Sequence, residues 1–217
     1  MAEAKLDDLG KRFPDASVNE LRRFLVARSE DVDAAAAMYQ AHLDWKSKLP
    51  ADLHQEALHE LKKGKVVIRG RDNQGRPVLI WRTRFNDPTV RDLQQTVLSL
   101  VYMAMEVSKL ADAQSPDGKI VVVVDRHDGI PDLELVKAVA AIMNANFPER
   151  LHCALVVPVN MVFRGLWSTI KWFFDPKTRG KVIMMGSKEQ LKQYVDSKQL
   201  PVSLGGEDGW EFNPDEA

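Results

Sequence analysis

Few side chains stand where they could do chemistry, and most of those few are badly spaced for it. His54 and His59 lie five residues apart, with Glu56 and Glu60 beside them. Metal ligands on one helix sit three or four apart, and a step of five turns the second imidazole well over a right angle away. No metal site is expected there. The one cysteine, Cys153, stands in an apolar run and reads as a small core residue. A lone cysteine also excludes an intramolecular disulfide and a four-cysteine zinc site. Asp125, Arg126, His127 and Asp128 follow an aliphatic run directly, the position at which open α/β sheets place their ligand crevice. One reading is acid–base chemistry at Asp125 and His127; the other is a plain turn that caps the next element. No Walker A loop, dinucleotide fingerprint or Gly-x-Ser-x-Gly elbow is present. The balance favours a protein with no catalytic residue and no cofactor. An enzyme at Asp125 and His127 stays open as the alternative.

Residues 161–174 are more informative. Phe163, Leu166, Trp167, Ile170 and Phe174 fall on one helical stripe, while Met161, Val162, Trp172 and Phe173 fall outside it. Arg164, Lys171, Lys177 and Arg179 place positive charge alongside. Such a helix either packs on two sides inside a core or meets a membrane interface. The chain as a whole carries 30 basic and 31 acidic side chains, a net charge of −1. That lacks the basic excess of a general nucleic-acid binder. Residues 151–206, however, hold eight basic against three acidic side chains. A block of that kind faces a lipid headgroup, phosphate or membrane surface, or forms a solvated face.

The elements that position these residues begin with helices over residues 18–28, capped by Ser17 or Asn19, and 31–47, capped by Asp31. A third runs from about Ala51 to Leu61, so residues 1–60 read as a helical lobe. Lys65–Arg69 and Val78–Thr83 then form a hairpin around Arg71–Arg76. A long helix over Thr89–Ala111, capped by Asp87 or Thr89, leads into alternating strands and helices. The strands are Ile120–Asp125, Leu151–Val157 and Val182–Met185; the helices are Asp132–Asn146, Met161–Phe174 and Lys188–Val195. The fold class is α/β with a mostly parallel sheet, and the run Ile120–Val124 marks a strand buried on both faces. Residues 207–217 form an acidic tail with Trp210 and Phe212 its only core candidates. A five-residue aliphatic run is far short of the ~20 that cross a bilayer. With no apolar signal core at the N-terminus, the chain is expected to be soluble and cytoplasmic.

Four segments together resemble the CRAL-TRIO (Sec-fourteen-like) lipid-binding family: LRRFLVARSEDVDAAAAMYQAHLDWK, DNQGRPVLIW, FPERLHCALVVPVNMVFRGLWSTIKWFFDPKTRGKV and LPVSLGG, in the family's order. The resemblance implies a lobe over residues 61–206 whose sheet floors a hydrophobic lipid pocket, with Met161–Phe174 as a mobile gate helix. It implies a phosphatidylinositol headgroup held by Arg28, Glu149, Thr178 and Lys181, although the position after Arg28 is Ser29 where the family has a further basic residue. Phe163, Leu166, Trp167, Ile170 and Phe174 are the expected gate and membrane-contact residues. Met103, Met105, Ile120, Val122, Met143 and Phe147 are the expected pocket lining. The family's phosphatidylcholine contacts are missing, with Ile120 and Val122 on the strand and Ile68 and Ala104 near the tyrosine positions, so the second ligand stays open. The implied function is non-enzymatic lipid binding and transfer by a monomer that visits membranes peripherally, with no nucleic-acid partner. A hydrophobic-ligand sensor without transfer activity is the alternative within the same pocket.

Overall fold

The computed structural model describes residues 2–126 and 132–216. It divides into two compact units, one of Met1–Ala51 with Ile142–Arg150 and one of Asp52–Ala141 with Leu151–Ala217. The smaller unit contains α1 (Ala2–Arg12), α2 (Val18–Ala27) and α3 (Val32–Lys46). Ser17 and Asp31 accept hydrogen bonds from the backbone N–H groups of Glu20 and Ala34, which satisfies donors that a helix start otherwise leaves without partners. Leu9, Leu21, Phe24, Leu25 and Tyr39 form its core, and the Tyr39 hydroxyl donates to Glu20 at 3.1 Å. Helix α1 is not among the elements expected from the sequence.

The larger unit runs α4 (Leu53–Leu61), β1 (Val66–Arg71), β2 (Pro77–Arg82), α5 (Leu93–Gln114), β3 (Ile120–Asp125), α6 (Leu133–Asn146), β4 (Leu151–Val157), α7 (Met161–Ile170), α8 (Pro176–Arg179) and β5 (Val182–Met184). The last turns of α6 fall in the smaller unit. Helix α4 lies along α5, with Gln95 donating to Glu56 and Thr96 to Glu60, so it belongs here and not with the helices before it. The sheet order is β1-β2-β3-β4-β5. Only β1 and β2 are antiparallel; every other pairing is parallel. The hairpin between them closes because Asp72 accepts the N–H groups of Gln74 and Arg76, with Gly75 at φ +87°, a conformation glycine adopts without strain.

Period-two alternation gives the sheet two apolar faces. Val121, Val123, Ile80 and Leu155 point to one, where Leu191, Leu200, Leu204, Trp210 and Phe212 cover them. Ile120, Val122 and Val124 point to the other, which two layers share. Helix α5 covers the half around Ile120 and Leu79; α7 covers the half around Val124 and Val156.

Several boundaries differ from expectation. Helix α5 starts at Leu93 under Asp92, because Asp87 spends its carboxylate on a tight turn with Thr89. The expected helix over 161–174 ends at Ile170 and continues as one 3-10 turn over Lys171–Phe173. The expected helix over 188–195 is a 3-10 helix over Lys188–Gln193.

Candidate functional site

Beneath α7 lies a cavity of about 170 Å³. Its floor is the sheet: Trp81 from β2, Val124 from β3, Ala154 and Val156 from β4 and Val182 from β5. Its roof is Phe163, Trp167 and Ile170 from α7, with Phe174 beyond, and Val136 of α6 closes a side. The alternation of strand side chains delivers the floor. Asn160 starts the roof by accepting the N–H of Phe163. Trp167 and Phe174 stack with ring centres 6.1 Å apart.

The polar lining comes from the strand ends and the loops beyond them. Thr83, Asn86, Arg126 and Asp132 contribute from the carboxyl ends of β2 and β3, and Thr178 from α8 near the start of β5. Asp132 caps α6 through the N–H of Leu135, accepts from Asn86 at 3.0 Å and is gripped by Arg91. Burial alone would raise its carboxyl, but those hydrogen bonds and the Arg91 charge outweigh burial and hold it below the usual range. Asp175 behaves alike: burial is outweighed by the Thr178 hydroxyl and by backbone N–H groups of α8. Arg126 lies 3.8 Å from the Phe163 ring centre, a cation–π contact that ties the end of β3 to α7.

Of the expected gate residues, Phe163, Trp167, Ile170 and Phe174 line the cavity and Leu166 packs in the adjoining cluster. In this arrangement their side chains are turned to the protein, with Phe163 and Ile170 buried and the others part-buried. The exposed large apolar side chains here are Met161, Val162 and Trp172, at 82%, 80% and 68%. Lys171 and Arg179 lie over the Trp172 ring at 5.4 and 4.8 Å. Thr178 reaches the cavity, and its hydroxyl donates to Asp175 at 2.6 Å. Lys181 is half-buried, and its carbonyl accepts the N–H of Ala154, a floor residue, at 2.9 Å. Arg28 and Glu149 belong to the smaller unit. Arg28 is exposed at the end of α2, and Glu149 adopts φ +57° before β4.

The six residues expected as lining stand outside this cavity. Ile120 and Val122 do share the sheet face of Val124, but α5 fills that half, and Met103 packs into the same cluster. Met105 is part-buried on α5. Met143 and Phe147 lie in the smaller unit, where Phe147 meets the Trp45 ring edge-on at 6.1 Å. None of the six lines this cavity. Sequence reasoning missed Trp81, Asn86, Asp132 and Val136; only Trp81 carried a signal, standing two residues from Leu79 on one strand face. Asp125 is 4% exposed and ion-paired to Lys188 at 3.0 Å, and it alternates with Val124, away from the cavity. His127 lies outside the described residues. Among the described residues, no group of three or more His, Cys, Asp or Glu is placed to hold a metal.

The CRAL/TRIO domain family model matches residues 61–206, about two thirds of the chain. The chain belongs to the CRAL/TRIO domain family. Among curated proteins, it is 29% identical over 210 residues to the phosphatidylinositol/phosphatidylcholine transfer protein SFH12 of Arabidopsis thaliana, a match covering 85% of this chain and 38% of that protein. It is 25% identical over 221 residues to the phosphatidylinositol transfer protein CSR1 of Eremothecium gossypii, covering 93% of this chain and 49% of that one. The CRAL/TRIO chain thus spans less than half the length of these relatives. The crystal structure of Sfh5 superposes with a TM-score of 0.72 at 16% identity, covering 92% of this chain and 74% of that one. This likeness extends the shared fold beyond the segment that the CRAL/TRIO model matches.

Proposed function

We propose that this CRAL/TRIO chain binds a phospholipid, with phosphatidylinositol the leading ligand, and carries it between membranes without covalent chemistry. The observation that carries the reading is the apolar cavity roofed by α7 and floored by the parallel sheet. The names of the relatives support the ligand class. Moving a lipid is chiefly a hydrophobic problem, since each methylene taken from the bilayer costs about 0.8 kcal/mol unless the protein replaces the contact. At about 170 Å³ the cavity is smaller than a drug-sized site of roughly 300–1,000 Å³. Admitting two acyl chains therefore requires α7 to swing away from the sheet, as a gate. Exposed Met161, Val162 and Trp172, beside Lys171 and Arg179, suit the face that meets an anionic membrane while the gate moves. For the headgroup, Thr178 and Lys181 offer a hydroxyl and an ammonium, the donor types a phosphate needs. Arg28 and Glu149 complete the set that the family resemblance implies.

The test is transfer of fluorescent phosphatidylinositol between vesicles, with native mass spectrometry of the lipid retained. Lys181→Ala and Thr178→Val should each lower transfer while circular dichroism stays unchanged. Unchanged transfer in both would remove the headgroup assignment. A protein that retains one lipid yet moves none between vesicles would be a sensor.

A further inference from the structure

Helix α7 is attached to the sheet unequally along its length. Its start is tied by hydrogen bonds. Val159 donates its N–H to the carbonyl of Met185, just past β5, at 2.7 Å, and Asn160 caps the first turn by accepting the N–H of Phe163 at 2.9 Å. Arg126, just past β3, donates to the carbonyl of Pro158 at 3.2 Å and lies against the Phe163 ring. Beyond Gly165 the attachment is apolar. Leu166, Trp167 and Ile170 share one cluster with Val156, Val182 and Met184, and among the described residues no hydrogen bond joins residues 166–170 to the sheet. Contacts of that kind part without stripping a buried polar group of its partner.

Gly165 divides the two parts. It is exposed, its φ is not left-handed, and a Cβ on it would meet nothing within 4 Å. Neither packing nor backbone conformation therefore calls for glycine there. In a helix interior glycine lowers the helical population about fivefold relative to alanine. The Ser168 hydroxyl donates to the Gly165 carbonyl at 2.6 Å, the acceptor that helix geometry gives to the Thr169 N–H. Serine bonding back by one turn loosens a helix, and glycine–serine pairs are among the few places where helices kink. Past Ile170 the α pattern gives way to the 3-10 turn over Lys171–Phe173, whose hydrogen bonds are poorer. The second half of α7 thus has a loose joint at each end. We propose that Gly165 is the hinge of the roof: the first turn of α7 stays on the sheet with Phe163, while residues 166–170 lift as a ligand enters or leaves. This rests on reading the cavity as the lipid site and adds which part of the roof moves.

A hinge glycine trades stability for opening, so alanine at 165 should shift the two in opposite directions. Hydrogen exchange of the full chain, followed amide by amide by NMR without lipid, reads the hinge alone. Protection of Thr169 and Ile170 should rise about fivefold in Gly165→Ala and about twofold in Ser168→Ala, with Arg164 changing less than either. Uptake of fluorescent phosphatidylinositol from mixed phosphatidylcholine and phosphatidylinositol vesicles should slow about fivefold in Gly165→Ala, while its urea midpoint rises. An equal rise in protection at Arg164, Thr169 and Ile170 would show that α7 moves as one rod and would overturn the proposal. So would unchanged protection at Thr169 and Ile170, or uptake by Gly165→Ala as fast as that of the wild type. A wild type that takes up no phosphatidylinositol, with the exchange pattern as expected, supports the hinge and counts against the carrier function alone.

Discussion

Arg91 grips Asp132 through two hydrogen bonds, Nε to Oδ2 at 2.5 Å and Nη2 to Oδ1 at 3.0 Å, with both side chains less than a tenth exposed. The pair joins the approach to α5 to the start of α6 at the polar end of the cavity. Asp132→Ala deletes this ion pair, the Asn86 contact and the α6 cap together, while Arg91 keeps its bond to Glu134 at 2.7 Å. It should cost about 2–3 kcal/mol of stability. Asp132→Asn keeps a capping oxygen and should cost clearly less. Urea unfolding of the two variants checks this. Equal losses would show that the cap contributes nothing beside the charge.

Asp117 gives the pH dependence a definite window. Burial would raise its carboxyl, but Arg76, the N–H of Lys119 and the Ser115 hydroxyl outweigh burial and hold it at about 2. Because the folded value lies below the unfolded one, near 3.9, the contribution is fully present above about pH 4 and fades as pH falls toward 2. Asp117→Asn should therefore flatten the fall in stability across that interval and leave the profile above pH 5 parallel to the wild type. Urea midpoints at half-unit steps measure it. A variant curve parallel to the wild type throughout would detach the acid sensitivity from Asp117.

The acidic tail is anchored by its aromatic residues. Asp208 pairs with Arg69 at 2.6 Å, Trp210 lies under the same guanidinium, and Phe212 faces Arg82 at 5.0 Å. Gly64, at φ +60°, makes room for them: a Cβ there would stand 2.3 Å from Arg82 Nη2 and 2.6 Å from the Phe212 ring. Gly64→Ala combines left-handed strain with that collision and should cost more than 1 kcal/mol. Phe212→Ala should cost about 1–3 kcal/mol. If the anchor is a shared one, the double variant will lose less than the two single losses combined. Strict additivity would mean that ring and glycine act separately.

These cases also mark how far the chain can be read without coordinates. Ser17, Asp31 and the Asp72–Gly75 turn act as their local chemistry indicates, and the buried run Ile120–Val124 is a central strand. Local chemistry fails where two signals compete. Asp87 and Asp92 are both valid caps, and the start at Leu93 comes with long-range bonds from Arg91 to Asp132, Gln95 to Glu56 and Thr96 to Glu60. Helix α1 and the residue just after it carry Leu6, Leu9 and Phe13 at helical spacing, a signal visible in the residues alone. The cavity lining is only half legible. Period-two alternation puts Ile120, Val122 and Val124 on one face, but which half α5 covers and which half lies under α7 depends on helix packing. That is a long-range matter, and no residue type announces it. Asn86 and Asp132 are unreadable as lining for the same reason, since beyond the local cap on Leu135 their mutual bond and the Arg91 pair join segments far apart along the chain.

Cys153 offers a probe of how the sheet opens. It sits on β4 opposite Val121, with its side chain in the cluster on the face away from the cavity. Burial pushes its thiol up to about 11, so at pH 8 only about one molecule in a thousand carries the reactive thiolate. Access is closed as well, with the residue 5% exposed. Iodoacetamide should therefore alkylate the native protein at least a hundredfold more slowly than the urea-unfolded chain. Its urea dependence should match that of global unfolding, because Val121, Leu155 and Leu191 must part before the sulfur is reached. The next residue, Ala154, faces the cavity, so movement of α7 alone should leave the labelling rate unchanged, with or without phosphatidylinositol vesicles present. A vesicle-induced rise in labelling would show that lipid exchange opens the sheet itself and not the helix above it.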